Sequence, residues 1–168
     1  MAEAGCLRDG AFQNVAVSGT ADVAKLVYKR PVVALSDAGA AQAIRATIAA
    51  SESGTIFTVP ALTTGTQTIA LPTTLEVGLT YTFVTTATTG QIFNVQGGGT
   101  NKILAVIPKG DGDNTAASQG YDTVGFTASA ILGSAFTCTC ISTTAATAWL
   151  VSNVVDGLEA NTGSLVVA

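Results

Sequence analysis

The chain has 168 residues, of which 11% are charged and none is histidine. Without histidine, Ser-His and Cys-His nucleophile pairs, histidine metal sites and a histidine general base are excluded. The net charge of −4 and the pI of about 4.5 argue against general nucleic-acid binding. Thr, Ser and Gly interrupt the apolar stretches well before the roughly 20 residues that a membrane-spanning helix needs. We therefore expect no enzyme, no cofactor, no nucleic-acid partner and no membrane span.

The low charge is the most informative property of the composition. A soluble monomer carries about 25% charged residues, whereas this chain carries 11% and has a mean hydropathy of +0.48. Much of its surface must therefore consist of Thr, Ser, Ala and Gly. Such a surface suits contact with other protein, which favours a subunit of an assembly over a free enzyme.

The first part of the chain differs from the rest in charge and pattern. Residues 1–50 have a net charge of +1 and residues 51–168 a net charge of −5. Residues 1–36 contain short β-type pieces interrupted by Pro31, and nothing at the N-terminus resembles a signal peptide. Alanine-rich residues 37–50 are the one predicted helix, with Asp37 as its N-cap. We predict an extended N-terminal arm with a short helix over residues 1–50 and a β domain over residues 51–168.

A basic and aromatic cluster in this arm is the candidate partner-binding site. It comprises Lys25, Tyr28, Lys29 and Arg30. These side chains could meet an acidic surface on a partner, and the alternative is a solvated patch that binds nothing.

After residue 54 the pattern is that of β-strands. Short runs rich in Thr, Val, Ile and Phe recur every 8–12 residues or so and are separated by Gly, Pro, Asn or Ser, as in a sandwich or barrel. We find no internal sequence repeat. The predicted strands are Thr55–Val59, Thr68–Leu71, Thr80–Thr86, Gln91–Val95, Lys102–Ile107, Asp122–Ser129, Ala135–Ile141, Thr147–Val151 and Ser164–Val167.

Few residues suggest chemistry. Cys138 and Cys140 lie two apart in one predicted strand, at or beyond the reach of a normal disulfide. We expect all three cysteines, Cys6 included, to be free thiols in a protein made in a reducing cytoplasm. The glycines at 97–99 predict a turn, since no Gly-Lys-Ser/Thr follows. Residues 111–114 predict an acidic loop rather than a calcium site, because no Glu stands at the twelfth position. The aromatic residues fall inside strands and are predicted to form the core.

Several short runs resemble a family of tailed-phage capsid decoration, or cement, proteins. The resemblance covers roughly residues 28–155 and lies in a Ser-Gly turn, two strands with a following proline, a Gly-Leu-x-Tyr-x-Phe run and a later hairpin with a tryptophan. The matching segments are Tyr28–Val32, Glu52–Pro60, Thr68–Pro72, Gly78–Val84 and Gly133–Val151.

The resemblance implies an antiparallel β-sandwich or jelly-roll-like domain on the outer surface of a phage head. There it would bind the major capsid protein across capsomer boundaries, as a homotrimer with arms that reach neighbouring subunits. The alternatives are a tail-fibre, head-fibre or baseplate component, and, from another class, a carbohydrate-binding β-sandwich module. The sequence therefore predicts a non-enzymatic virion protein.

Overall fold

The computed structural model describes residues 30–39, 43–45, 47–108, 114–116, 120–155 and 165–167. Its strands are β1 (Val32–Ala34), β2 (Ala43–Arg45), β3 (Ile56–Val59), β4 (Gln67–Ala70), β5 (Thr80–Thr85), β6 (Phe93–Gln96), β7 (Ile103–Leu104), β8 (Val106–Pro108), β9 (Asn114–Ala116), β10 (Thr123–Phe126), β11 (Ala135–Cys140), β12 (Trp149–Val155) and β13 (Leu165–Val167). Two short 3-10 helices cover Ala50–Glu52 and Ala145–Thr147. The prediction of a mainly β protein is confirmed, and every strand predicted after residue 54 is present within a few residues.

The strands form two larger sheets whose inner faces pack together. One sheet has the order β1-β3-β5-β11-β12-β7 and the other β13-β10-β6-β4-β2, while β8 and β9 form a separate pair. Aromatic rings bridge the two layers. The ring centroids of Phe83 and Phe93 are 5.9 Å apart, and those of Phe126 and Phe136 are 4.9 Å apart. The hydrophobic core therefore lies between the sheets.

The first six strands wind as three rungs of a two-sheet solenoid. The chain alternates between the sheets, and each strand pairs in parallel with the strand two elements earlier. Val32 pairs with Ile56 and Ile56 with Thr82, so successive rungs are 24 and 26 residues apart. The turn after the strand of the six-stranded sheet contains a glycine with positive φ in every rung: Gly39 (76°), Gly65 (63°) and Gly90 (71°). Only glycine adopts this conformation at little cost.

The later strands cover one side of this solenoid. β10 pairs antiparallel with β6, and β11 pairs antiparallel with β5 and β12. Terminal rungs of a solenoid need such covering, because their outer backbone groups are otherwise unpaired. The third rung is therefore closed by the C-terminal half of the chain.

Two predictions made from the sequence are wrong. Residues 43–45 form strand β2, not part of a helix over 37–50, because pairing with β4 outweighs the helix propensity of alanine. The sheets are mixed and not antiparallel throughout. The rungs also form a structural repeat without a sequence repeat, because the equivalent inward positions share only apolar character.

The segment predicted as an N-terminal arm with a short helix over residues 1–50 includes described residues that belong to the sheets. Val32, Val33 and Ala34 pair with β3, and Leu35 is buried in the core. β1 and β2 are edge strands of the two sheets, so residues 32–34 and 43–45 contribute to the fold. Residues 1–29 lie outside the described residues. In the part of the chain that the structure covers, no helix is long and apolar enough to cross a membrane.

Candidate interaction surface

The outer face of the six-stranded sheet is built from small neutral side chains. Strand residues alternate, so that Phe57, Tyr81 and Phe83 point into the core and their neighbours point outward. We call the outward set the threonine face. Its members are Val32, Ala34, Ile56, Thr58, Thr80, Thr82, Val84, Leu104, Ala135, Thr137, Thr139, Leu150, Ser152 and Val155.

No strand residue of the threonine face is charged, although the guanidinium of Arg30 lies over it. Its centre is a pair of threonines on neighbouring strands, Thr82 and Thr137, whose Oγ1 atoms are 3.1 Å apart. Val32, Leu150 and Val155 are exposed at its borders. The face combines hydroxyls with methyl groups, so it can bury apolar area and still form hydrogen bonds with another protein.

Arg30 lies on this face and is held by the chain itself. Its Nε donates to the carbonyl oxygen of Gly54 at 3.0 Å, and its Nη2 donates to Oγ1 of Thr82 at 3.1 Å. The guanidinium therefore fastens the start of β1 across β3 onto β5. Of the predicted partner-binding residues, Arg30 has this intramolecular role, while Lys25, Tyr28 and Lys29 lie outside the described residues.

Asp37 forms the most connected polar cluster at the edge of the fold. Its carboxylate accepts hydrogen bonds from the backbone N–H groups of Gly39 and Thr63, each at 3.0 Å, and from the side chains of Thr63 and Gln67. Gln67 is fully buried, and its Oε1 accepts the N–H of Ala38 at 3.0 Å. The cluster ties the connection between β1 and β2 to the start of β4.

These hydrogen bonds lower the pKa of Asp37 from 3.8 to about 2, chiefly through the side chains of Thr63 and Gln67. A carboxyl whose pKa is lower in the folded state stabilises the fold above its unfolded pKa and loses that effect as the pH falls toward its folded pKa. We expect Asp37→Asn to be less stable than the parent at pH 6, with the difference shrinking between pH 3.8 and about 2. Urea unfolding of both proteins across this range measures it, and a difference independent of pH would contradict the assignment.

The other residues that were considered as candidates for chemistry are part of the core or of a turn where the structure describes them. Burial raises the pKa of the Cys138 thiol, and that of Cys140 is also raised by burial, so both free cysteines resist ionisation. Gly97 and Gly98 are buried in a turn against the backbone of Asn101 and Leu71. Residues 111–113 lie outside the described residues. Among the described residues, no three His, Cys, Asp or Glu side chains are grouped to hold a metal ion.

Sequence reasoning missed the Asp37 cluster and the position of Arg30. Asp37 was expected to cap a helix, and it does accept backbone N–H groups, but those of a turn and of a loop 26 residues away. The spacing between Asp37 and Gln67 has no local signal, because the contact arises only when two rungs stack. The alternation of Thr with aromatic residues was the available signal for the threonine face.

Comparison of the sequence with models of known protein families and with curated proteins finds no match.

Proposed function

We propose that the protein is a structural subunit of a phage virion, a decoration or cement protein that binds the outer surface of the head. The observation that supports this proposal is the threonine face, whose strand residues are all uncharged, on a chain with very few charges. A subunit that is fixed against other protein can bury such a face without desolvating many charges. The proposed partner is the major capsid protein, contacted across capsomer boundaries.

The dimensions of the threonine face suit a repeated, moderate contact. Six strands at about 4.8 Å spacing, with roughly five residues each at about 3.3 Å, give an area on the order of 400 Å². This is about half of what one partner contributes to a standard interface, near 800 Å². A homotrimer would multiply the contact, so three modest sites become one strong attachment through avidity. The proposed trimer also suits three-fold positions of a shell.

Charge supports the proposed orientation and binding mode. Residues 51–168 carry a net charge of −5, which would repel packaged DNA and fits an external position. Because the strand residues of the threonine face are uncharged and Arg30 adds a single positive charge beside them, attachment should release few counterions and depend only weakly on salt. Steeply salt-dependent binding would instead indicate attachment through Lys25, Lys29 and other basic residues of the N-terminal segment.

A charge placed on the threonine face tests the proposal. Thr139 lies on the central strand β11 between Thr80 and Leu150, so Thr139→Glu should weaken binding to capsids that lack the protein by at least about tenfold, because an unpaired charge must be desolvated. Thr68→Glu, on the outer face of the other sheet, is the matched control. Co-sedimentation of each variant with capsids at low and high salt gives the affinities.

Thermal unfolding of the two variants separates loss of binding from loss of folding. If Thr139→Glu is unstable, Thr80→Lys places a charge on the neighbouring strand of the same face. Equal capsid affinity of the face variants and of Thr68→Glu would exclude the threonine face as the attachment surface. Sedimentation of the free protein tests the trimer, and a stable monomer at micromolar concentration would contradict it.

The solenoid favours a second candidate within the virion, a component of a tail fibre, head fibre or baseplate. Stacked rungs can build an elongated part, although three rungs at about 4.8 Å extend only about 15 Å. Electron microscopy of particles with labelled protein would distinguish head from tail. A carbohydrate-binding module has less support, because the aromatic side chains of Phe57, Tyr81, Phe93 and Trp149 are fully buried and cannot stack on a sugar.

A further inference from the structure

The first rung of the solenoid has an uncovered side among the described residues. β1 is the edge strand of the six-stranded sheet, and β2 is the edge strand of the five-stranded sheet. Both edges lie on the same side of the molecule, since β1 and β2 belong to one rung. The opposite side is closed by β10, β11 and β12. One end of the solenoid is thus capped and the other presents two strand edges.

The backbone of β1 shows which groups face this open side. The carbonyl oxygen of Pro31 accepts a hydrogen bond from the N–H of Ile56 at 2.8 Å. The N–H of Leu35 donates to the carbonyl oxygen of Thr58 at 2.9 Å. Residues 31, 33 and 35 therefore direct their backbone groups toward β3. Because alternate residues face opposite ways, the N–H and C=O groups of Val32 and Ala34 point away from β3. An uncovered edge of this kind pairs readily with another strand.

Side chains of the first rung also lack a neighbour. Val32 is 64% exposed, whereas Ile56 at the equivalent position of the second rung is partly buried. Val33 is only partly buried against the core, whereas its equivalents Phe57 and Phe83 are 0% exposed. Inner and outer positions of the rung are both less covered than those of the next two rungs.

We propose that the two open edges are the docking site for residues 1–29 of the same chain, which add a further rung to the solenoid. The length fits, because rungs are 24 and 26 residues apart and 29 residues precede Arg30. The composition fits as well. Residues 10–21 carry no charge and no proline, and residues 11–17 show a loose period of two, as in a short strand.

The connectivity of the chain favours this occupant over a second copy. Each described rung is followed directly by its neighbour, and residues 1–29 lead directly into β1 without an intervening domain. A tethered segment has an effective concentration in the millimolar range, which a second molecule in dilute solution does not reach. The docked segment would cover edges that otherwise promote association between copies. This proposal does not rest on the proposed virion function.

Amide hydrogen exchange, followed by NMR, tests the proposal at individual residues. In dilute full-length protein, shown to be monomeric by sedimentation, the amides of Val32 and Ala34 should exchange at least roughly a hundredfold more slowly than unstructured amides. Deletion of residues 1–29 should abolish that protection and leave the amide of Val33, which faces β3, protected.

A proline substitution provides a second test if the deletion variant aggregates. Val15→Pro removes a backbone donor within the predicted strand and should reduce the protection of Val32 and Ala34. Ser18→Pro, at the break after that strand, is the matched control and should not. Unprotected Val32 and Ala34 in the full-length protein, or protection that survives the deletion, would overturn the proposal. Protection that arises only at concentrations where oligomers form would overturn it in favour of a second copy.

Discussion

Phe83→Ala should be the most damaging substitution in the core, lowering the free energy of unfolding by about 3–5 kcal/mol. Phe83 is fully buried, and its ring lies 5.5 Å from Phe57, 5.9 Å from Phe93 and 5.2 Å from Phe136. It therefore joins two neighbouring strands of its own sheet to β6 of the other sheet. Truncation removes these aromatic contacts and leaves a cavity where the two layers meet.

Urea unfolding at neutral pH measures this effect, and Phe83→Leu separates volume from aromaticity. The leucine variant keeps most of the apolar volume and should lose clearly less stability than the alanine variant. Ile92→Ala, at a side chain that is 38% exposed, should change the stability little. If Phe83→Ala lost no more than Ile92→Ala, the packing between the sheets would have been assigned incorrectly.

Gly125→Ala should cost about 3 kcal/mol or more, at the upper end of overpacking effects. Gly125 pairs with Asn94 of β6 on one side and with Val166 of β13 on the other. A Cβ atom at this position would lie 1.9 Å from the carbonyl oxygen of Phe93 and 2.9 Å from the Cα of Asn94. Because these are backbone atoms of a central strand, the ladder between β10 and β6 would have to separate.

The control for this substitution is Thr123→Ala in the same strand. Thr123 is partly exposed, so its truncation should change the free energy of unfolding by less than about 1 kcal/mol. Urea unfolding of the two variants gives the comparison. Stability of Gly125→Ala within that same margin would show that β10 and β6 are not packed as closely as described.

The Asp37 cluster and the open rung bear on how the N-terminal part of the chain should be handled experimentally. A chain that begins near Ser51 would lack β1, β2, Arg30 and Asp37, and therefore one edge strand of each sheet. If such a fragment failed to bind capsids, unfolding and the loss of a binding contact would be equally good explanations. Deletion of residues 1–29 leaves the described rungs intact and is the more informative truncation.

The sequence by itself determined the β class and the inward and outward positions of most strands. In the run from Thr80 to Phe83, threonine and aromatic residues alternate with a period of two, and this period holds in any sheet. The burial of Tyr81 and Phe83 and the outward position of Thr82 followed directly. The uncharged strand residues of the threonine face could therefore be predicted from the sequence. The same alternation predicted that the aromatic residues of these strands form a core.

Only the tertiary structure decided how the strands are joined. A period of two is the same for parallel and antiparallel neighbours, so the alternation carries no information on strand direction. Val33, Phe57 and Phe83 occupy equivalent positions in three rungs but share only apolar character, which hides the repeat. Residues 43–45, within the alanine-rich segment 37–50, form a strand because they pair with β4, and Asp37 contacts Gln67 because stacking brings residues 30 apart into contact. Local preference is worth a few tenths of a kcal/mol per residue, and pairing with a neighbouring rung outweighs it.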